Sequence, residues 1–247
     1  MLIDTHAHVN FNAFKDDADE VIRRSLAGGT QIINVGSQYS TSKRAVEMAE
    51  KHKEGVYAAV GLHPTHVNDE EFDYEKYKDL AKSKKVVAIG EIGLDYFHEP
   101  YDKNIQRMVL CKQLDLAKEL NLPVIFHCRS AQSDLIGILK QYNNISGVIH
   151  CFTGDWDEAQ EYLKMGFYLG INGIIFKLNL DDIIKKAPLD KILIETDCPY
   201  LTPLQVEGRN EPLYIKYVAQ KIAELKGETF EKIAEATTQN AKRLFNV

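Results

Sequence analysis

The chain has 247 residues, with 30 Lys+Arg against 36 Asp+Glu for a formal charge of −6, and 45% of it is hydrophobic. That composition builds a real core and excludes disordered, collagen-like and coiled-coil classes. Apolar runs such as Val86–Ile89 and Lys191–Ile194 are far too short to cross a bilayer, and Met1-Leu2-Ile3-Asp4 enters patterned sequence without a basic leader, so a cytoplasmic setting is expected. Four cysteines, Cys111, Cys128, Cys151 and Cys198, form no C-x-x-C pair and read as buried free thiols of a reducing compartment. The acidic balance speaks against a broad basic surface for duplex DNA, yet it leaves room for a local site where metal ions carry the positive charge.

Eight short apolar runs alternate with helical patterns from end to end: Leu2–His8, Gln31–Gly36, Val56–His63, Val86–Asp95, Pro123–Cys128, Gly147–Phe152, Phe167–Gly173 and Ile192–Pro199. Their richness in Ile, Val and aromatics suits strands buried on both faces. The spacing predicts a helix over Asp16–Ala27, carrying Val21, Ile22 and Leu26 inward and stopping at Gly28-Gly29. A second is predicted over Asp102–Leu120, with Ile105, Met108, Val109, Leu116, Ala117 and Leu120 on its buried face. Two more, near Leu213–Leu225 and Thr229–Phe245, follow the last strand. Repeated β-then-α units in a chain of this size match a single-domain α/β (β/α)₈ TIM barrel with extra C-terminal helices. A doubly wound open sheet is the alternative, weakened because no G-x-G-x-x-G follows the first strand.

His6, His8, His63, His127 and His150 all fall at the C-terminal ends of predicted strands. His6 and His8, two apart on a strand, face the same side, and in a barrel that side is the interior at the rim where active sites of this fold are built. Glu91, His127, His150 and Asp197 repeat the placement on later strands. Buried separately, each polar side chain would need its own hydrogen-bond partner in an apolar core; a shared metal site satisfies them together. Four imidazoles and two carboxylates exceed what one tetrahedral ion uses and fit two divalent ions, Zn²⁺, Mn²⁺ or Mg²⁺, with Glu91 as the bridge. His6, His8 and Asp197 are expected to hold one ion, since first and last strands adjoin in a barrel, and His127 and His150 the other. Two such ions leave a locally positive centre that attracts phosphodiesters and activates water.

Here the sequence resembles the TatD-type metal-dependent deoxyribonucleases. The resemblance rests on Asp4-Thr5-His6-Ala7-His8, Gly61-Leu62-His63-Pro64, Gly90-Glu91-Ile92-Gly93-Leu94-Asp95-Tyr96, Phe126-His127-Cys128-Arg129, His150-Cys151-Phe152-Thr153-Gly154, Glu195 through Pro203 and Arg209-Asn210-Glu211-Pro212. These stretches span the chain in family order. They imply an amidohydrolase-like barrel, a metal centre on His6, His8, Glu91, His127, His150 and Asp197, and hydrolysis of DNA, with DNA repair as the setting. The chain departs from the pattern at Cys198, where Ser is more usual, and at Thr65, which moves the second histidine of that loop to His66.

Around the centre, His63 reads as a phosphate donor or a ligand to a weaker third ion, against a packing role in its turn. Arg129 and Arg209 read as phosphate-binding groups, against surface ion pairs. Glu195 and Asp4 lie one layer deeper than Asp197 and His6 and are expected to orient ligand histidines. Tyr96 and Phe97 stack on a base or pack on the barrel top. Cys128, Cys151 and Cys198 each follow a ligand and are expected to point away, while His52 and His98 read as ordinary surface residues. The leading function is a DNA phosphodiesterase working from a 3′ end or on single strands, with Asp197 as both ligand and general base and Glu91 as the other catalytic carboxylate. The alternatives are a hydrolase of C–N or ester bonds and a non-catalytic binding protein stabilised by its metals.

Overall fold

The switch between fully apolar runs and helical spacing produces strict alternation of strands and helices. In the computed structural model, which describes Met1–Val247, the order is β1 (Leu2–Ala7), α1 (Ala18–Ala27), β2 (Thr30–Val35), α2 (Tyr39–Glu50), β3 (Val56–Val60), α3 (Tyr74–Leu80), β4 (Val86–Asp95), α4 (Lys103–Leu120), β5 (Val124–Arg129), α5 (Gln132–Leu139), β6 (Gly147–Ile149), α6 (Trp156–Lys164), β7 (Tyr168–Ile171), α7 (Asp181–Lys186), β8 (Ile192–Ile194), α8 (Ile215–Lys226) and α9 (Phe230–Phe245). All eight strands are parallel and pair in chain order, so the expected (β/α)₈ barrel is the fold observed. β1, β4 and β6 to β8 are buried along their whole length, as strands covered on both faces must be.

The seam between β8 and β1 closes through bonds unlike the ladders elsewhere. Asp4 accepts from the Thr196 N–H at 2.9 Å and from the Thr196 hydroxyl at 2.5 Å, and Thr5 Oγ1 donates to the Ile194 carbonyl at 3.0 Å. Above them the Asp197 N–H donates to His6 O at 2.8 Å and the His8 N–H to Cys198 O at 2.9 Å. Asp4 therefore stitches the barrel shut; it meets only the backbone N–H of His6, at 3.3 Å, and does not orient that imidazole as expected. At the opposite end α9 lies across the starts of β1 and β8. Thr238 Oγ1 donates to Met1 O and the Asn240 amide donates to Leu189 O and Ile192 O, while Ala241, Leu244 and Phe245 join Ile3, Ile33 and Leu193 in the apolar filling of the barrel. One end is thus plugged with hydrocarbon, leaving the other for chemistry.

Several strands are shorter than the sequence predicts. The third stops at Val60 instead of His63, the sixth at Ile149 instead of Phe152, and the eighth at Ile194 instead of Pro199. For the sixth and eighth the reason lies in the backbone, since Cys151 and Asp197 take left-handed conformations, with φ of 45° and 56°, that no strand continues through; the third gives way to a helical turn that His63 caps. On α4 the predicted face is partly rotated. Met108 is 52% exposed, while Gln106, Leu110, Gln113 and Leu114 are buried.

Gly93, paired with His127 across β4 and β5, has φ of 151°, and a Cβ there would lie 1.9 Å from His127 O. Gly93→Ala is expected to cost about 3 kcal/mol, combining backbone strain with overpacking, which for a chain of this length lowers Tm by roughly 6–12 °C. Thermal unfolding checks this. A shift below about 2 °C would mean that the two strands can separate to admit a methyl group.

Candidate metal centre

The buried carboxylate of Glu91 organises the open end of the barrel. β4 carries a register shift between Ile89 and Ile92, and the Glu91 N–H donates to Gly36 O at 3.0 Å, which fixes where the side chain projects. Its two oxygens face different neighbours. Oε2 lies 3.4 Å from His6 Nε2 and 3.8 Å from His8 Nε2; Oε1 lies 2.9 Å from His127 Nδ1, 3.4 Å from His63 Nε2 and 3.7 Å from His150 Nε2. Asp197 Oδ1 closes the group, 3.5 Å from His8 Nε2, 3.9 Å from His150 Nε2 and 4.0 Å from His6 Nε2. All six residues expected as metal ligands are therefore brought together.

The donor set fits divalent cations. His6 Nε2 and His8 Nε2 are 3.0 Å apart with both facing the same carboxylates, and two nitrogens bonded to one tetrahedral Zn²⁺ are separated by about 3.3 Å. His6–His8–Glu91 and His63–Glu91–His127 each place one donor atom per residue within 4.8 Å of the others. Cys151 behaves differently from expectation: with its backbone in the left-handed region it stands with His150 and Asp197 as a third such group instead of pointing away.

The far nitrogen of most of these rings is held. His8 Nδ1 is 2.8 Å from Val35 O, and His150 Nδ1 is 2.7 Å from Glu195 Oε1, which also accepts from the Cys151 N–H and the Asn172 amide. His127 Nε2 is 2.8 Å from Asp95 Oδ2. His63 Nδ1 accepts from the Thr65 N–H at 3.2 Å, so the proton of the neutral ring sits on Nε2, facing Glu91. Thr65, the departure noted in this loop, is thus what aims His63, and His66 still lines the cavity beside it.

Burial and charge set the protonation. Burial pushes the Glu91 carboxyl up, yet the imidazoles around it, from His63 and His6 to His127 and His150, hold it well below the usual carboxylate range. Asp197 is also lowered, because His150, His8 and His6 outweigh its burial. Burial, with His127 and His66 adding to it, pushes His63 down to about 4 against the pull of Glu91, and burial with His150 lowers His6. Burial would lower His150 as well, but Glu195 and Asp197 lift it to about 10.

The sequence reading leaves out Asp95, which the structure places against His127. Fully buried, it takes His127 Nε2 and His98 Nδ1 on one oxygen, each at 2.8 Å, and the N–H groups of Phe97 and His98 on the other, each at 2.9 Å. The signal was its place four residues after Glu91 on a strand buried throughout. His98, read as a surface residue, is tied into this chain and lines the cavity. From α4, the Gln106 side chain pairs with both backbone groups of Asp95 at 2.8 Å, and Gln113 does the same for Leu62 at 2.8 and 3.0 Å. These two glutamines fix the end of β4 that carries Asp95 and the segment after β3 that carries His63.

Above the centre is a cavity of about 580 Å³, lined by His8, His63, His66, Asp95, Arg129, Asp197 and Tyr200 among others. Arg129 stands at its edge with its guanidinium 4.6 Å from the ring centre of Phe97 and no carboxylate partner. Arg209 does not reach it. Its guanidinium is spent on Asp17 at 2.6 and 3.0 Å, on Glu211 at 3.1 Å and on the Ala13 carbonyl, over the Phe14 ring, which removes it from the substrate-binding set. Tyr96 packs on the barrel top, donating to Asp134 and stacked on Tyr101.

The chain matches the family described as TatD related DNase over residues 3–246. It is 48% identical to the uncharacterized metal-dependent hydrolase YabD of Bacillus subtilis and 34% identical to the 3′-5′ ssDNA/RNA exonuclease TatD of Erwinia tasmaniensis, in each case across 100% of both chains. The crystal structure of YJJV, a TatD homologue from Escherichia coli, superposes with a TM-score of 0.92 at 33% identity, covering 100% of this chain and 98% of that one.

Two outcomes follow from the ring supports. Asp95→Asn, which keeps the shape but replaces an acceptor with an amide, is expected to weaken uptake of Zn²⁺ or Mn²⁺ about 10- to 100-fold by calorimetric titration; unchanged affinity would deny Asp95 its hold on His127. The second concerns pH. Because His150 is raised to about 10, the cation-free protein keeps that proton through neutral pH and must release it when a cation binds. Affinity should therefore rise as pH increases from 6 to 9, with proton release detectable in buffers of different ionisation enthalpy. An affinity independent of pH over that range would show that His150 takes no part.

Proposed function

The chain belongs to the TatD related DNase family and is a metal-dependent hydrolase, and on that premise we propose that it hydrolyses the phosphodiester bonds of single-stranded nucleic acid, DNA first, from a 3′ end. The observation that carries the reading is the Glu91 carboxylate, whose two oxygens face two separate sets of imidazoles with Asp197 alongside. On that reading His6, His8 and Asp197 would hold one divalent cation and His127 and His150 another, with Glu91 placed between the two sets. When bound, such cations would supply Lewis acidity to phosphoryl oxygens and lower the pKa of water.

The chain's own residues do the rest. Asp197, ionised at neutral pH, presents Oδ1 to the imidazoles and has its second oxygen to accept the proton of the attacking water. His63, neutral with its proton on Nε2, donates to a non-bridging oxygen of the scissile phosphate, and Thr65 keeps it aimed. Arg129, free of any carboxylate and poised at the edge, takes the neighbouring phosphate. With few cations at the mouth of an acidic chain, binding should depend only shallowly on salt. The four free thiols suit a cytoplasmic setting, and trimming single strands from an end suits DNA repair.

The test is to load the protein with Zn²⁺ or Mn²⁺ and offer end-labelled single- and double-stranded oligonucleotides beside a panel of small esters and amides. Stepwise shortening of the single strand from its 3′ end is expected. Faster turnover of the amides, or a steep salt dependence of oligonucleotide binding, would move the chain to another substrate class. In the same assay Asp197→Asn, with both cations confirmed by elemental analysis, should lose kcat by about 10²–10⁴. Wild-type kcat in that variant would pass the base role to another group.

A further inference from the structure

The large hydrophobic side chains left exposed are not scattered. Of Met1, Phe97, Met108, Leu178, Tyr200 and Leu204, all but Met1 and Met108 belong to loops that follow β4, β7 and β8 at the open end of the barrel. Exposed apolar surface gathered at the mouth of a polar cavity marks a binding surface. Its two aromatic members, Phe97 at 56% exposure and Tyr200 at 55%, sit on the loops after β4 and β8. In a barrel whose strands pair in order from β1 to β8, those strands lie diametrically opposite each other. The two rings therefore flank the cavity.

Both residues sit on braced backbone. Phe97 has its N–H on Asp95 Oδ1 at 2.9 Å and the Arg129 guanidinium 4.6 Å from its ring centre. Tyr200 rides on a braced turn: its N–H donates to Asp197 O at 2.9 Å, and the Asn210 amide clamps its carbonyl at 2.6 Å together with Thr196 O at 2.9 Å. Leu201, next in the chain, is in the left-handed region, and its carbonyl packs so closely on Gly173 that a Cβ there would come within 2.0 Å. A side chain half exposed on a backbone this constrained loses little freedom when it takes a ligand.

Resting on the nuclease reading above, we propose that Tyr200 and Phe97 form a stacking clamp across the mouth, each taking the face of an unpaired base next to the scissile phosphate. Every base offers a π-face, so such a clamp reads no sequence. It requires unpaired bases, because a duplex buries their faces in its own stack. Arg129 beside Phe97 adds a cation to the same nucleotide.

The clamp is tested by binding, in metal-loaded Asp197→Asn protein, of a fluorescent single-stranded dT decamer and of the same strand with its two 3′-terminal bases removed as abasic residues. Removing the bases should weaken binding about 5- to 100-fold. Tyr200→Ala and Phe97→Ala should each weaken the intact decamer by about 5-fold or more and add little to the abasic strand, while Tyr200→Phe should stay within about 2-fold of the parent. Equal binding of intact and abasic strands, or an equal loss on both in the Ala variants, would overturn the clamp while leaving the nuclease reading intact. A loss in Tyr200→Phe as large as in Tyr200→Ala would assign the effect to the hydroxyl and overturn stacking. Failure of the wild-type protein to bind or cleave any oligonucleotide would instead strike the nuclease reading itself.

Discussion

Glu91 is 4% exposed and ionised at the floor of a cavity, and much of the molecule is arranged around the cost of keeping it so. An isolated carboxylate in that position would take up a proton. Convergent imidazoles prevent this, but an imidazole compensates a charge only if its ring is held at the right angle. Hence the outer layer of partners: Val35 O for His8, Asp95 for His127, Glu195 for His150 and Thr65 for His63. The supports are themselves supported, Asp95 by Gln106 from α4 and Glu195 by Asn172 and the Cys151 N–H. His6 Nδ1 is buried with no partner nearby, and the ring is located by its backbone and by stacking on His150 at 3.6 Å.

The same bonds that close the barrel assemble its centre. His6 and Asp197 are far apart in the chain, yet the Asp197 N–H donates to His6 O, and directly beneath them Asp4 grips Thr196. Residues at the two ends of the sequence become neighbours only when the seam forms, so the candidate ligands come together only in the closed barrel. The opposite end has the reverse character. There α9 fills the barrel with Ala241, Leu244 and Phe245, and apolar burial there offsets the polar load at the mouth.

Most of this was legible in the sequence, for identifiable reasons. Strands buried on both faces write continuous apolar runs, so β4 was read to its exact ends; histidines and carboxylates at the ends of those runs stood out because an apolar core does not otherwise tolerate them. Other features were hidden. Asp95 closes an apolar strand with no histidine beside it in the sequence, and its partner His127 comes from the next strand. Gln106 and Gln113 are polar residues on a buried helix face, explicable only once the strand ends they clamp are in place, and their presence rotated Met108 outward. Arg209 and Arg129 have the same local sequence signature of an arginine beyond a strand end. What separates them is Asp17, nearly two hundred residues away in the chain, which engages Arg209 and has no counterpart beside Arg129. Cys151 departs from period-two alternation because its left-handed backbone breaks the pleat.

That contrast between the two arginines bears on what the mouth can recognise. Arg24 and Arg209 are bound to Asp17 and Glu211 outside the cavity, and the cavity lining contains no lysine. A chain of net charge −6 with one uncommitted guanidinium at the mouth cannot draw affinity from a long track of phosphate contacts, as duplex-binding proteins do. Whatever it holds must be gripped over a short span, by the centre itself and by apolar contact at the edge. On the proposed reading, phosphate meets the first demand and the open face of an unpaired base meets the second. The scarcity of basic residues and the gathering of exposed apolar side chains at the open end are therefore one feature, and together they favour a frayed or single-stranded terminus over intact duplex.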